Sequence, residues 1–126
     1  MKKVKVVRII IEVLLLIVLI LIVIFRSFGI AGYTVRRIVS SSMEPTLQVN
    51  SIVLIKKCGI EDIELQDIIC FFDNTVQTDV VHRVIGFEEK DGIVTLITKG
   101  DNNKAEDSNR VTADSIVGKV IERCSD

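Results

Sequence analysis

One histidine, one proline and three cysteines are all that 126 residues supply of those types, and each scarcity narrows the chemistry open to the chain. Cys58, Cys70 and Cys124 are odd in number, and no two of them have C-x-x-C spacing. A zinc site or a disulfide framework is therefore poorly supported, and small buried hydrophobes are the simpler reading; a single disulfide with one thiol left over stays open. His82 is the sole imidazole, so any histidine-based proton transfer has to run through it. Beyond residue 30 no strong amphipathic helix is legible, and no stretch is repeated or of low complexity. Basic charge is short where a nucleic-acid binder would need it. Beyond Arg26, 11 basic side chains face 16 acidic ones. An acidic domain repels phosphate backbones, which argues against nucleic acid as a partner.

What the chain has in excess is apolar length at its start. Val13–Phe25 is unbroken, and extension back to Ile9 admits only Glu12. As a helix, Ile9–Phe25 is about 25 Å long, near the short end of what crosses a bilayer. Glu12 lies within a turn of one end, and Arg26 can snorkel at the other. Lys2, Lys3, Lys5 and Arg8 crowd the short N-terminal flank and outweigh Arg26, Arg36 and Arg37. The positive-inside rule then predicts a cytoplasmic tail at 1–8, a transmembrane helix at 9–26 and an extracytoplasmic domain at 27–126. A cleavable signal peptide, with a small-residue site at Gly29-Ile30-Ala31, is the rival reading. The run is long for that class, and it is apolar on all sides, unlike a surface helix of a soluble protein.

After the anchor the pattern becomes strand-like. Thr34–Ser40, Ser51–Lys57, Ile68–Asp73, Asp79–Phe87, Ile93–Lys99 and Ser115–Arg123 are short runs rich in Val and Ile. Turn signals at Cys58-Gly59, Asp73-Asn74, Asp91-Gly92 and Gly100–Asn103 separate them, and Glu88–Gly92 reads as a hairpin loop. The expectation is one mainly β domain, a barrel or sandwich, on a single N-terminal helix.

Three polar segments could carry chemistry. Ser40-Ser41-Ser42-Met43-Glu44-Pro45-Thr46 holds the only proline, which stiffens the turn through itself and Glu44. Composition alone makes it a polar loop; a serine on such a turn is a nucleophile only if a base activates it. Asp79–Gly86 holds His82, either a structural histidine on a half-buried strand or that base. Lys99–Asp107 offers two carboxylates, Asp101 and Asp107, either of which could fix the tautomer of an imidazole. Its Asp-x-Asn also suggests a calcium loop, but the other ligands of such a loop are missing.

In this order and behind an anchor, the three segments resemble type I signal peptidases, specifically the Ser–His subclass of the endoplasmic reticulum, archaea and some Gram-positive bacteria. The Ser-Met-x-Pro box reads Ser42-Met43-Glu44-Pro45, the His-Arg box reads Asp79–Gly86, and the Gly-Asp-x-Asn box reads Gly100-Asp101-Asn102-Asn103, with a second acidic position at Asp107. The resemblance implies a small signal-peptidase-like β-barrel domain and a serine endopeptidase that cuts signal peptides from preproteins. It implies Ser42 as nucleophile, His82 as base, Asp107 orienting the ring with Asp101 in the same network, and Ser40 with the Ser42 N–H binding the oxyanion. It implies no metal or organic cofactor. Its expected partners are preprotein signal peptides, the lipid bilayer and other signal-peptidase or translocon subunits, in the cell membrane or, in a eukaryote, the endoplasmic reticulum membrane. Ile38, Val39, Phe71 and Phe72 are expected near the pockets for small side chains.

Two departures stand out. The commoner bacterial subclass has a lysine base where this chain has His82, and Ser41 stands where relatives often have glycine. A related self-cleaving repressor fold predicts a lysine at 82 and no anchor. The remaining alternative is an inactive membrane-tethered β module that binds a partner.

Overall fold

The computed structural model describes residues 1–124. It divides into two compact units, Met1–Gly32 and Tyr33 onward. The first is a single helix, α1, over Lys2–Ile30. Its Val, Ile and Leu side chains from Ile9 to Phe25 are exposed on every face. In lipid such a segment must satisfy its backbone groups internally, and only the helix does so within one span. The stretch Lys2–Ser27 is long and apolar enough to cross a membrane. Arg8 Nε donates to Glu12 Oε1 one turn on, at 2.9 Å, so the one acid in the span has a partner.

The second unit is mainly β, as expected. Its strands are β1 (Tyr33–Arg37), β2 (Ile52–Lys56), β3 (Ile68–Asp73), β4 (Thr78–Lys90), β5 (Ile93–Lys99) and β6 (Ile116–Cys124). Short 3-10 turns at Ile60–Asp62 and Ala113–Ser115 precede β3 and β6. All six strands pair antiparallel in one sheet of order β1-β2-β6-β3-β4-β5. The last strand therefore inserts between the second and third. Among the described residues, β1 and β5 do not pair with each other.

Two differences from the sequence reading have local causes. The first strand ends at Arg37 rather than Ser40, because the chain leaves the ladder into the serine-rich turn. The hairpin loop expected over Glu88–Gly92 shrinks to Asp91-Gly92, both with positive φ (53° and 76°). Two such residues form the tight hairpin turn whose twist matches the strands, so pairing runs on to Lys90 and Ile93.

Alternation along the strands builds two cores. On β3, Cys70 points into a cluster with Ile38, Met43, Leu47, Val53 and Ile55. Its neighbours Ile69 and Phe71 point the other way, into a cluster with Ile63, Val84, Leu96 and Val111. A central strand buried on both faces reads as a continuous apolar run, which Ile68–Phe72 is. Cys70 is fully buried, and burial pushes its thiol up to about 12. It behaves as a small hydrophobe there, as the sequence suggests.

Candidate active site

The serine-rich segment leaves the sheet in a controlled way. Ile38 still donates its N–H to Ser51 O (2.9 Å) and accepts from the Asn50 N–H (2.8 Å). Val39, 81% exposed, and Ser40 and Ser41 then lie on the surface. Met43 returns to the first core at 1% exposure, and Leu47 donates its N–H to Met43 O (2.9 Å). Half-buried Ser42 is thus held between two apolar anchors, Ile38 and Met43.

The Gly100–Asn103 turn locks the same backbone from the other side. The Asn102 N–H donates to Ser42 O (2.8 Å), and Asn102 Nδ2 donates to Ser41 O (3.0 Å). A Cβ on Gly100 would fall 2.6 Å from Ser42 O, so only glycine allows this approach. The Ser42 N–H itself has no acceptor among the described residues.

His82 sits on β4 directly opposite Ile69 of β3 and is 8% exposed. Phe71 meets its ring edge-on, with centroids 6.4 Å apart. His82 Nδ1 lies 2.7 Å from Asp107 Oδ2, and Nε2 lies 3.1 Å from Ser42 Oγ. Thr98, fully buried on β5, donates its hydroxyl to Asp107 Oδ2 (2.7 Å), and the Asp107 N–H donates to Thr98 O (2.8 Å). Burial raises the Asp107 pKa, but the His82 and Thr98 hydrogen bonds outweigh it and hold the carboxyl below its ordinary value. An ionised carboxylate only accepts, so Nδ1 carries the ring proton and Nε2 is left to accept from the Ser42 hydroxyl. Ser40 Oγ lies 3.1 Å from Ser42 Oγ, where its O–H donates to that oxygen.

Asp101 lies elsewhere in the network. Arg83 grips it with two hydrogen bonds, Nε to Oδ1 (2.8 Å) and Nη2 to Oδ2 (2.7 Å), while Thr46 donates to Oδ2 at 2.6 Å. Arg83 also donates to Gln66 O (2.9 Å). The Arg83 hydrogen bonds, with that from Thr46, hold the Asp101 carboxyl below the usual carboxylate range despite its burial. Asp101 therefore ties the residue after Pro45 to the residue after His82, and Asp107 takes the ring.

Sequence reading quoted Thr46 and Asn102 within two of its segments but gave them no role. It missed Thr98, whose signal is that it shares the inward face of β5 with Leu96, an odd place for a hydroxyl without a partner. A cleft of about 530 Å³ runs past Ser42 and His82, lined by Ile38, Val39, Met43 and Thr78–Val81. Phe71 and Phe72 instead line a neighbouring hollow of about 370 Å³. Among the described residues no cluster of His, Cys, Asp or Glu could hold a metal ion.

Comparison with known proteins places this geometry in context. Residues 7–89 match the family model described as signal peptidase, peptidase S26. That stretch includes Ser42 and His82 and ends before Asp101 and Asp107. Signal peptidase I W of Bacillus subtilis is 34% identical over 89 residues, 70% of this chain and 46% of the relative. The signal peptidase complex catalytic subunit SEC11C of Homo sapiens and of Mus musculus is 34% identical over 71 residues, 56% of this chain and 37% of the relative. The chain thus spans less than half the length of these curated relatives. The chain belongs to the peptidase S26 signal peptidase family and resembles its endoplasmic-reticulum and Gram-positive type.

Proposed function

We propose that the protein is a membrane-anchored serine endopeptidase that removes signal peptides from exported preproteins. The observation that carries this reading is the unbroken hydrogen-bond chain from Ser42 Oγ through His82 to Asp107. Ser42 Oγ attacks the scissile carbonyl carbon while its proton passes to His82 Nε2. The Asp107 carboxylate stabilises the imidazolium. The oxyanion accepts from the Ser42 N–H and from the Ser40 hydroxyl, which turns from Ser42 Oγ to reach it. Each such donor contributes about 3–4 kcal/mol of transition-state stabilisation. His82 gives its proton to the leaving amine as the C–N bond breaks. Water then attacks the acyl group on Ser42, with His82 taking the proton and returning it to Oγ.

The substrate binds as an extended strand. The cleft is flanked by two backbone edges that no strand covers among the described residues: the outer edge of β1, and the edge of Thr78–His82 facing away from β3, since β5 joins β4 only from Arg83 onward. The helix α1 crosses the bilayer with the N-terminus in the cytoplasm and the β domain outside, in the cell membrane or the endoplasmic reticulum membrane. A signal peptide lies in that same bilayer, so tethering raises its effective concentration at the site. Other subunits of a signal peptidase complex are the protein partners this reading suggests. The test is cleavage of a preprotein in membranes: Ser42→Ala and His82→Ala should each abolish it while leaving the circular dichroism spectrum unchanged. A folded Ser42→Ala protein with full activity would remove Ser42 from the mechanism.

A further inference from the structure

Asp107 has room to turn away from the ring it faces. Its side chain is 22% exposed, and it lines both the cleft past Ser42 and the smaller hollow beside Phe72. An ionised carboxylate is well solvated by water, so either hollow offers it an alternative seat. Both of its side-chain hydrogen bonds fall on one atom: His82 Nδ1 and the Thr98 hydroxyl each lie 2.7 Å from Oδ2. Among the described residues Oδ1 has no partner in the protein. Thr98 is placed to supply the second of those bonds. It lies on β5 opposite Val84 and is fully buried. A buried hydroxyl is costly without an acceptor, and Asp107 Oδ2 is the acceptor it has. The Thr98 carbonyl accepts the Asp107 N–H (2.8 Å), so one residue holds both the backbone and the carboxylate. Farther along, Leu96 and Val111 exchange both backbone hydrogen bonds (2.9 and 3.0 Å), which lays the segment from Asp107 to Val111 against β5 at both ends. Branching at Cβ leaves the Thr98 side chain few rotamers and so aims its O–H.

We infer that Thr98 is a positioning residue of the reaction: its hydroxyl pins Asp107 Oδ2 beside His82 and thereby fixes which ring nitrogen is bare. The inference rests on the peptidase reading above. The path from hydroxyl to tautomer is short. The Thr98 hydroxyl has one proton, and an ionised Oδ2 accepts it. Held there, the same oxygen also accepts from Nδ1, so the ring proton stays on that nitrogen. Nε2 then presents its lone pair to Ser42 Oγ, 3.1 Å away. Without the hydroxyl, the bond to Thr98 O still holds the Asp107 main chain, but the carboxylate turns towards either hollow. A neutral imidazole with no fixed acceptor exchanges its proton between the two nitrogens. In the tautomer with the proton on Nε2, no base faces the serine. Thr98 lines neither hollow, so it acts through Asp107 and does not meet substrate.

The experiment compares the full chain in detergent with Thr98→Val, which keeps the branched shape and loses the hydroxyl, and with Thr98→Ser, which keeps the hydroxyl. His82 is the sole histidine, so ring-nitrogen NMR spectra of histidine-labelled protein report this site alone. At a pH where the ring is neutral, wild type and Thr98→Ser should show Nδ1 protonated and Nε2 bare. Thr98→Val should show the two tautomers in exchange. On a short peptide substrate, Thr98→Val should lower kcat by about tenfold or more at unchanged KM, because a group misplaced by about 1 Å can cost on the order of 100-fold in rate. Thr98→Ser should recover kcat to within a few-fold of wild type. In an Asp107→Ala background, Thr98→Val should lower kcat no further, since the two residues act as one unit. Thr98→Ala carries the same expectations as the valine and replaces it if the valine does not fold. A single wild-type tautomer in the folded variant that lacks the hydroxyl, or the same rate loss with and without Asp107, would overturn the inference and leave the peptidase reading intact. A wild type that cuts no peptide would bring down the peptidase reading instead, and the ring spectra alone would then decide whether Thr98 sets the tautomer.

Discussion

At the scale of single residues, the two carboxylates of the third segment separate by their partners. Asp107 faces the His82 ring and Thr98, whereas Asp101 is gripped by Arg83 and Thr46. The two-pronged Arg83–Asp101 contact is the stronger geometry, because a guanidinium fork matches both carboxylate oxygens. Its linkage to pH has a definite sign. The folded-state pKa of Asp101 is depressed, so between that value and the unfolded carboxylate pKa of about 3.9 the unfolded chain binds more protons. The stabilisation is therefore complete above the unfolded value and is lost as pH falls through the folded one. Asp101→Asn removes the charge but not the shape. It should cost about 1–3 kcal/mol at neutral pH, because Arg83 loses a charged partner while half-buried. It should also flatten the acid limb of stability, and urea unfolding of the variant and wild type between pH 2 and 7 measures both. An unchanged acid limb would mean that Asp101 does not carry this linkage. Little of this division was legible in the sequence. Spacing places both acids in one loop, but which of them faces a ring 19 or 25 positions earlier depends on how β4 and β5 align, and the bulge between Val84 and Gly86 shifts that alignment.

At the scale of elements, the strands were legible and the turns were not. Val- and Ile-rich runs fix where β2, β3, β5 and β6 lie, since a half-buried pleated surface suits those side chains. Ser40–Thr46 and Gly100–Asn103 have no periodicity to read, and their shapes come from contacts with each other. Asn102 reaches the carbonyls of Ser41 and Ser42, 60 or so residues away in sequence, and no local pattern announces that. Gly100 is where this dependence is sharpest. Its missing side chain lets the turn touch the carbonyl of Ser42, and the atoms a Cβ would meet include backbone, which cannot rotate away. Gly100→Ala should therefore displace Ser42 relative to His82. Because a misplacement of about 1 Å can cost on the order of 100-fold in rate, kcat should fall by at least tenfold while KM changes little. A variant with unaltered kcat would show that the two turns separate without disturbing the serine. The opposite case is the β4–β5 hairpin, where Asp91-Gly92 states its turn type in two letters.

At the scale of the whole molecule, the chain assigns its apolar surface to two solvents. From Ile9 to Phe25 apolar side chains are exposed all round, and every member of both buried clusters lies at Ile38 or later. This division was the most legible feature of all, because an unbroken apolar run and an alternating one differ in composition before any fold is considered. It has a testable consequence. Among the described residues both buried clusters draw on the second unit alone, so residues 33–126 should fold alone, with a cooperative thermal transition near that of the full chain in detergent. Their chemistry should survive as well, since Ser42, His82, Asp107, Thr98 and Asp101 all come from this unit. Cleavage of a short soluble peptide should therefore stay within a few-fold of the full chain. Cleavage of a preprotein in vesicles should fall by two orders of magnitude or more, because the proposed tether supplies effective concentration and not contact energy. Measured together, the two substrates separate the roles. An equal loss on both would assign α1 a part in building the site, and an equal retention on both would show that confinement to the bilayer contributes nothing to the rate.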